Sequence, residues 1–135
     1  MPNTKATGVA YLDPEFSTMY ATEEIGYSAS AQGTVTQLTS KSTAVTLDKS
    51  AGRITMNNAS LATATNATFV LNNSTISAND AVILTISGGQ ATPGSYNVFA
   101  NALSAGQVSI TLRNISGGSL SEAVVINFAI IHGAS

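Results

Sequence analysis

From Gly33 onward, apolar residues occupy every second position in short runs, and turn-forming residues separate the runs. Val35, Val45 and Leu47, Ile54 and Met56, Phe69 and Leu71 each alternate with small or polar residues. So do Val82, Leu84 and Ile86; Tyr96, Val98 and Ala100; Val108, Ile110 and Leu112; and Val124, Ile126, Phe128 and Ile130. A period of two places one set of side chains on one face of a β-strand and the other set on the opposite face, which is the mark of half-buried antiparallel strands. The intervening "DKSAG", "NNAS", "NNSTISAND", "SGGQATPG", "NALSAG" and "NISGGSLS" carry turn chemistry. About eight short strands at this spacing predict an all-β fold, an antiparallel sandwich or jelly roll, over residues 33–135. The order of the strands is left open by the pattern.

The polar half of the alternation is unusual. Only 9 % of the residues are charged and the net charge is −2, so Ser, Thr, Asn and Gln must wet the surface. Threonine suits this place, since its β-branch fits the pleat and its hydroxyl holds water without charge. Five scattered basic residues cannot match a row of phosphates, which argues against nucleic-acid binding. Cysteine is absent, which excludes disulfides and thiolate metal sites. The longest mainly apolar run, 123–131, is about half the length a membrane-spanning helix requires. No apolar leader opens the sequence, so a protein made in the cytoplasm is expected, with its five Asn-x-Ser/Thr sequons unmodified.

Residues 1–32 differ from the rest. They hold Tyr11, Phe16, Tyr20 and Tyr27, half of the eight aromatics, and end in the small, flexible "GYSASAQG". With no apolar period they cannot form a core and read as an arm that needs a surface to lie on. Asp13-Pro14-Glu15 resembles a helix start, which would place Phe16 and Tyr20 on one face of a short helix to about Glu24. An extended arm with separately docking aromatics is the equal alternative. At the other end, Val125, Ala129 and Ile131, with Asn127 among them, lie on the face opposite the strand's core positions. A strand apolar on both faces is either covered within its sheet or part of a subunit interface, and the interface is expected here.

Catalytic groups are sparse. The single histidine, His132, lies three residues from the end and reads as a solvated terminal residue. Glu23 and Glu24 are adjacent and share no helix face. Asp48 and Asp80 fall in turns, where Asp normally holds backbone. A calcium site joining Asp80 to Asn72, Asn73 or Asn79 would offer a single carboxylate, too few for a hard cation. "SGGQATPG" lacks the spacing of a phosphate loop, and Glu122 could pair with Arg113 or Arg53 at a rim. The expectation is a non-enzyme with no metal and no cofactor.

"GTVTQLTSKSTAVTLDKSAGRITMNNASL" together with "SITLRN" and "SLSEAVVINFAII", spanning residues 33–131, resembles a small β-domain of tailed-bacteriophage virion proteins. "KATGVAYLDPEFSTMYATEE" looks like the N-terminal extension of small capsid-associated proteins of such phages. The resemblance implies a capsid decoration, or cement, protein: a homotrimer on the outer capsid surface, with arms reaching the major capsid protein. Under it, Tyr11, Phe16, Tyr20 and Tyr27 are the docking aromatics, while Val125, Asn127, Ala129 and Ile131 form the subunit interface. Neither nucleic acid nor membrane is an implied partner. The alternative is a receptor-binding or fibre-tip module of a phage tail, whose loops at 57–68, 72–80 and 87–94 contact glycans with Tyr96 or Phe99 as a stacking platform.

Overall fold

The computed structural model describes residues 16–134. Eight strands form two four-stranded sheets that pack face to face. In chain order they are β1 (Gln32–Thr36), β2 (Val45–Thr46), β3 (Ala51–Thr55), β4 (Asn66–Asn72), β5 (Ala81–Gly88), β6 (Tyr96–Ser104), β7 (Gln107–Asn114) and β8 (Val125–Ile131). The first sheet has the order β1-β3-β8-β5 and the second β2-β4-β7-β6. The expected eight-strand sandwich is therefore present.

The strand order left open by the sequence is set by how the chain moves between layers. β1 to β4 alternate between the two sheets, and each crossing reverses the chain. Two crossings restore the original direction, so β1 runs parallel to β3 and β2 parallel to β4. The remaining pairings, β3–β8, β5–β8, β4–β7 and β6–β7, are antiparallel.

Alternation delivers the core. Ile54, Met56, Phe69, Leu71, Val108, Ile110, Leu112, Val124, Ile126 and Ile130 are almost completely buried between the sheets. Removing such side chains from water is the main stabilising term, at about 1.5–3 kcal/mol for each large aliphatic residue. Leu47, just after β2, crosses onto the first sheet. A Cβ added at Gly52 would lie 2.8 Å from its Cδ2 and 2.7 Å from the Gly33 carbonyl oxygen. Only a glycine lets Leu47 and Phe128 meet over β3.

Loops are tied by buried amides. Asn114 donates through Nδ2 to the carbonyls of Leu61 and Gly118, each at 2.8 Å, and accepts from the Ser116 N–H at 2.9 Å. Asn73 donates to the Lys49 carbonyl at 2.7 Å and accepts from the Thr75 N–H at 2.9 Å. Each satisfies backbone groups that loops otherwise leave without partners. Gly89, after β5, has φ +81°, and a Cβ there would stand 2.0 Å from the Ala123 oxygen, which fixes glycine at this turn.

Candidate functional site

The outer face of the first sheet carries the four β8 residues singled out in the sequence, Val125, Asn127, Ala129 and Ile131. Because β8 is central in that sheet, its outward residues are flanked on both sides. The register aligns Gln32, Ala51, Ala129 and Ile83 in one row and Thr34, Arg53, Asn127 and Thr85 in the next. Ile131 stands opposite Ala81 beyond the first row. One half of the face is thus apolar, with Ile83 49 % and Ile131 59 % exposed. The other half is polar and internally bonded: Arg53 Nε and Ser87 Oγ both donate to Asn127 Oδ1, at 3.3 and 3.0 Å. Between Gln32, Thr34, Ala51, Arg53 and Asn127 lies an open groove of about 400 Å³. Val125, Asn127 and Ala129 are half-buried and Ile131 is exposed. No strand of the described residues covers this face.

The arm begins at the rim of the same face. Residues 16–28 form neither helix nor strand, so the short helix considered to about Glu24 is not formed over this stretch. The proposed helix start at 13–15 and Tyr11 lie outside the described residues. Phe16 is 64 % and Tyr20 89 % exposed. Tyr27 is the anchor, since its hydroxyl donates to the Ile130 carbonyl. Its own carbonyl accepts from Gln32 Nε2 at 3.0 Å, and Lys49 Nζ donates to the Ser30 carbonyl at 2.9 Å.

His132 corrects the sequence reading. It is not a free terminal residue: its Nδ1 lies 3.1 Å from Asp80 Oδ2, and its Nε2 3.4 Å from Ser50 Oγ. The Asp80 side chain is 1 % exposed. It accepts from the Ser77 N–H at 2.8 Å, the Ser77 hydroxyl at 2.8 Å and the Gly133 N–H at 2.9 Å. Hydrogen bonds from the Ser77 backbone, more than any other cause, hold its pKa down to about 2, against the opposing effect of burial. With its oxygens so engaged, Asp80 is not free for the calcium site considered above, and no cluster of three metal-ligating side chains occurs among the described residues. Ser50, His132 and Asp80 follow the order of a nucleophile, base and acid. The cluster lines neither the groove on the first sheet nor a second cavity between Val82 and Leu103, and its bonds clamp the end of β8 to the 77–80 turn, where Asn79 also donates to the Ala134 carbonyl at 3.0 Å. Sequence spacing could not reveal it, because residues 50, 80 and 132 meet only through the β3–β8–β5 pairing.

At the opposite end of the sandwich, Lys41 is 4 % exposed and its ammonium donates to the carbonyls of Asn57 at 2.6 Å and Glu122 at 2.5 Å. Burial pushes its pKa down, and the Glu122 carboxylate partly offsets this. Glu122 pairs with neither arginine. Its Oε1 accepts from the Ala91 N–H at 2.7 Å, while Arg113 bonds Asn66 and Arg53 bonds Asn127. Tyr96 is buried at 4 % exposure, which removes it as a stacking platform. Its hydroxyl makes no hydrogen bond of standard geometry, and burial first, then the Glu122 carboxylate, raises its pKa to about 12. Phe99, by contrast, is 42 % exposed on the outer face of the second sheet.

Asp48 behaves as a turn residue, although across the fold: its Oδ1 accepts from the Ser74 N–H at 2.7 Å. No helix among the described residues is long and apolar enough to cross a membrane. Comparison with protein-family models, curated proteins and solved structures gives no match.

Proposed function

We propose that the chain is a bacteriophage structural protein that decorates and stabilises the outer capsid surface, as a homotrimer with N-terminal arms on the major capsid protein. The observation that carries the assembly part is the outer face of the first sheet. Ile83, Ala129, Ala81 and Ile131 form a contiguous apolar strip that the described residues leave uncovered. Apolar rows of this kind on a soluble sandwich mark contact surfaces rather than solvent faces. The arm adds a second contact element, with Phe16 64 % and Tyr20 89 % exposed. An arm that orders on contact loses conformational entropy, and three arms on one trimer offset this through high effective concentration. The capsid itself enters through the sequence resemblance. A three-fold oligomer would suit the three-fold positions of an icosahedral shell.

In this reading the protein is neither an enzyme nor a nucleic-acid or membrane binder, and it needs no cofactor. Its test is position in the purified virion. Many copies on the head, lost when residues 1–31 are deleted, are expected; a few copies at the tail tip, or undiminished decoration by the truncated chain, would overturn it. The fibre-tip alternative retains one supporting observation, the exposed Phe99 beside Asn101 and Thr111 on a face without acidic residues. Adsorption of the isolated protein to host cells, abolished by Phe99→Ala, would favour that alternative.

A further inference from the structure

We infer that residues 16–25 of one copy dock in the groove on the first sheet of a second copy, so that the arm exchanges between protomers. The two surfaces are complementary, and the described residues of one chain cover neither. Phe16, Met19, Tyr20 and Ile25 are 62–89 % exposed on a stretch without regular structure. The groove, about 400 Å³, is bordered by Ala51, and the strand register places Ala129 and Ile83 in the same row of the face. That space admits an aromatic ring, and the neighbouring rows offer aliphatic contact for Met19 and Ile25.

Charge agrees with the pairing. Residues 16–31 carry Glu23 and Glu24 and no basic residue, whereas the outer face carries Arg53 and no acid. Arg53 is exposed, and among the described residues its one side-chain hydrogen bond is to Asn127 Oδ1 at a long 3.3 Å, so these residues leave its guanidinium open to a carboxylate or to the face of a ring. The root of the arm explains why the occupant is a second copy. The Tyr27 hydroxyl on Ile130 and the Gln32 amide on the Tyr27 carbonyl fix the chain at the rim. From there the large side chains of the arm stay exposed instead of entering their own groove. One arm and one groove per chain make a head-to-tail contact, which closes into a ring when the rotation allows. This rests on the homotrimer of the capsid reading, which a monomeric mass would remove as well, and it concerns the isolated protein, where no capsid competes for the arm; equal disulfides in an oligomeric protein would overturn arm exchange alone.

The chain has no cysteine, so single cysteines report contacts without background. Purified Tyr20→Cys and Thr34→Cys chains, both exposed positions, are mixed at about ten micromolar and oxidised, with circular dichroism as a check on folding. The mixed disulfide is expected to exceed both same-site dimers at least tenfold. Arg53→Glu should reduce it severalfold, and Glu23→Lys with Glu24→Lys on the arm partner should restore it. Equal amounts of the three disulfides, or a light-scattering mass that stays monomeric, would overturn arm exchange. Because no capsid is present, either result leaves capsid binding to its own assay.

Discussion

Substituting Gly52 by alanine isolates the contact that closes the sandwich over β3. A glycine inside a strand is ordinarily a weakness: alanine at a compatible site gains about 0.5–1 kcal/mol by restricting the unfolded chain. At Gly52 the added methyl would lie 2.7 Å from the Gly33 carbonyl oxygen, 2.8 Å from Leu47 Cδ2 and 2.9 Å from Phe128 Cε1. Two of these neighbours are side chains with some freedom, but the carbonyl belongs to the paired strand β1. Relief therefore requires moving backbone, and overpacking of that kind costs about 1–3 kcal/mol. Setting the middle of the penalty range, about 2 kcal/mol, against the middle of the entropic gain, about 0.75 kcal/mol, leaves a net loss of roughly 1 kcal/mol. For a domain of this size that lowers Tm by roughly 3–5 °C. Gly88, near the end of β5, supplies the control, since a Cβ there would meet nothing within 4 Å. Gly88→Ala should be neutral or slightly stabilising, and urea unfolding at constant m-value measures both variants on one scale. If Gly52→Ala matched or exceeded the parent in stability, the packing of Leu47 across β3 and the close β1–β3 approach would both be refuted.

Two predictions concern protons. Asp80 has a folded pKa of about 2 against an ordinary value of 3.8, so its contribution to stability is present above pH 4 and is lost as the pH falls from about 4 to 2. Asp80→Asn should flatten that part of the stability profile in acid unfolding, and an unchanged acid limb would exclude the clamp on β8. Tyr96 has its pKa raised to about 12 from 10, so the folded protein should keep this phenol protonated near pH 11, where an ordinary phenol is ionised. Absorbance at 295 nm counts the phenolates, and Tyr96→Phe should remove the late step; complete ionisation near pH 11 in folded protein would contradict the burial of this ring. The ionisation behind that late step has a defined sign. Stability from the neutral buried phenol is whole below pH 10 and is lost as the pH rises through 12.

How legible the site was depended on the range of its interactions. The doubly apolar β8 was readable because facing is a local property of a strand, fixed by alternation at Val125, Asn127, Ala129 and Ile131. The aromatic arm was readable because it breaks that alternation. His132 was misread because nearness to a chain end says nothing about partners 52 and 82 residues away. Tyr96 was misread as a platform although it begins the inward-facing row of Val98 and Ala100. Period two tells which residues share a face but not which face is inside; Glu122, outside the strands, instead meets the Ala91 N–H, 31 residues away, a partner that spacing does not show.

The one-dimensional pattern was enough to specify two kinds of face, eight strands and an unpatterned arm, because strand geometry converts spacing directly into direction. It could not specify which strands become neighbours. That choice depends on the chain crossing between layers at β2 and β3, on glycines that let Leu47 sit across β3, and on the Asp80 clamp that holds the end of β8. Each of these joins residues far apart in sequence, and each becomes favourable only when the two sheets close over a common core. Only the closed sandwich therefore put the arm's root, Arg53 and the apolar strip on a single face.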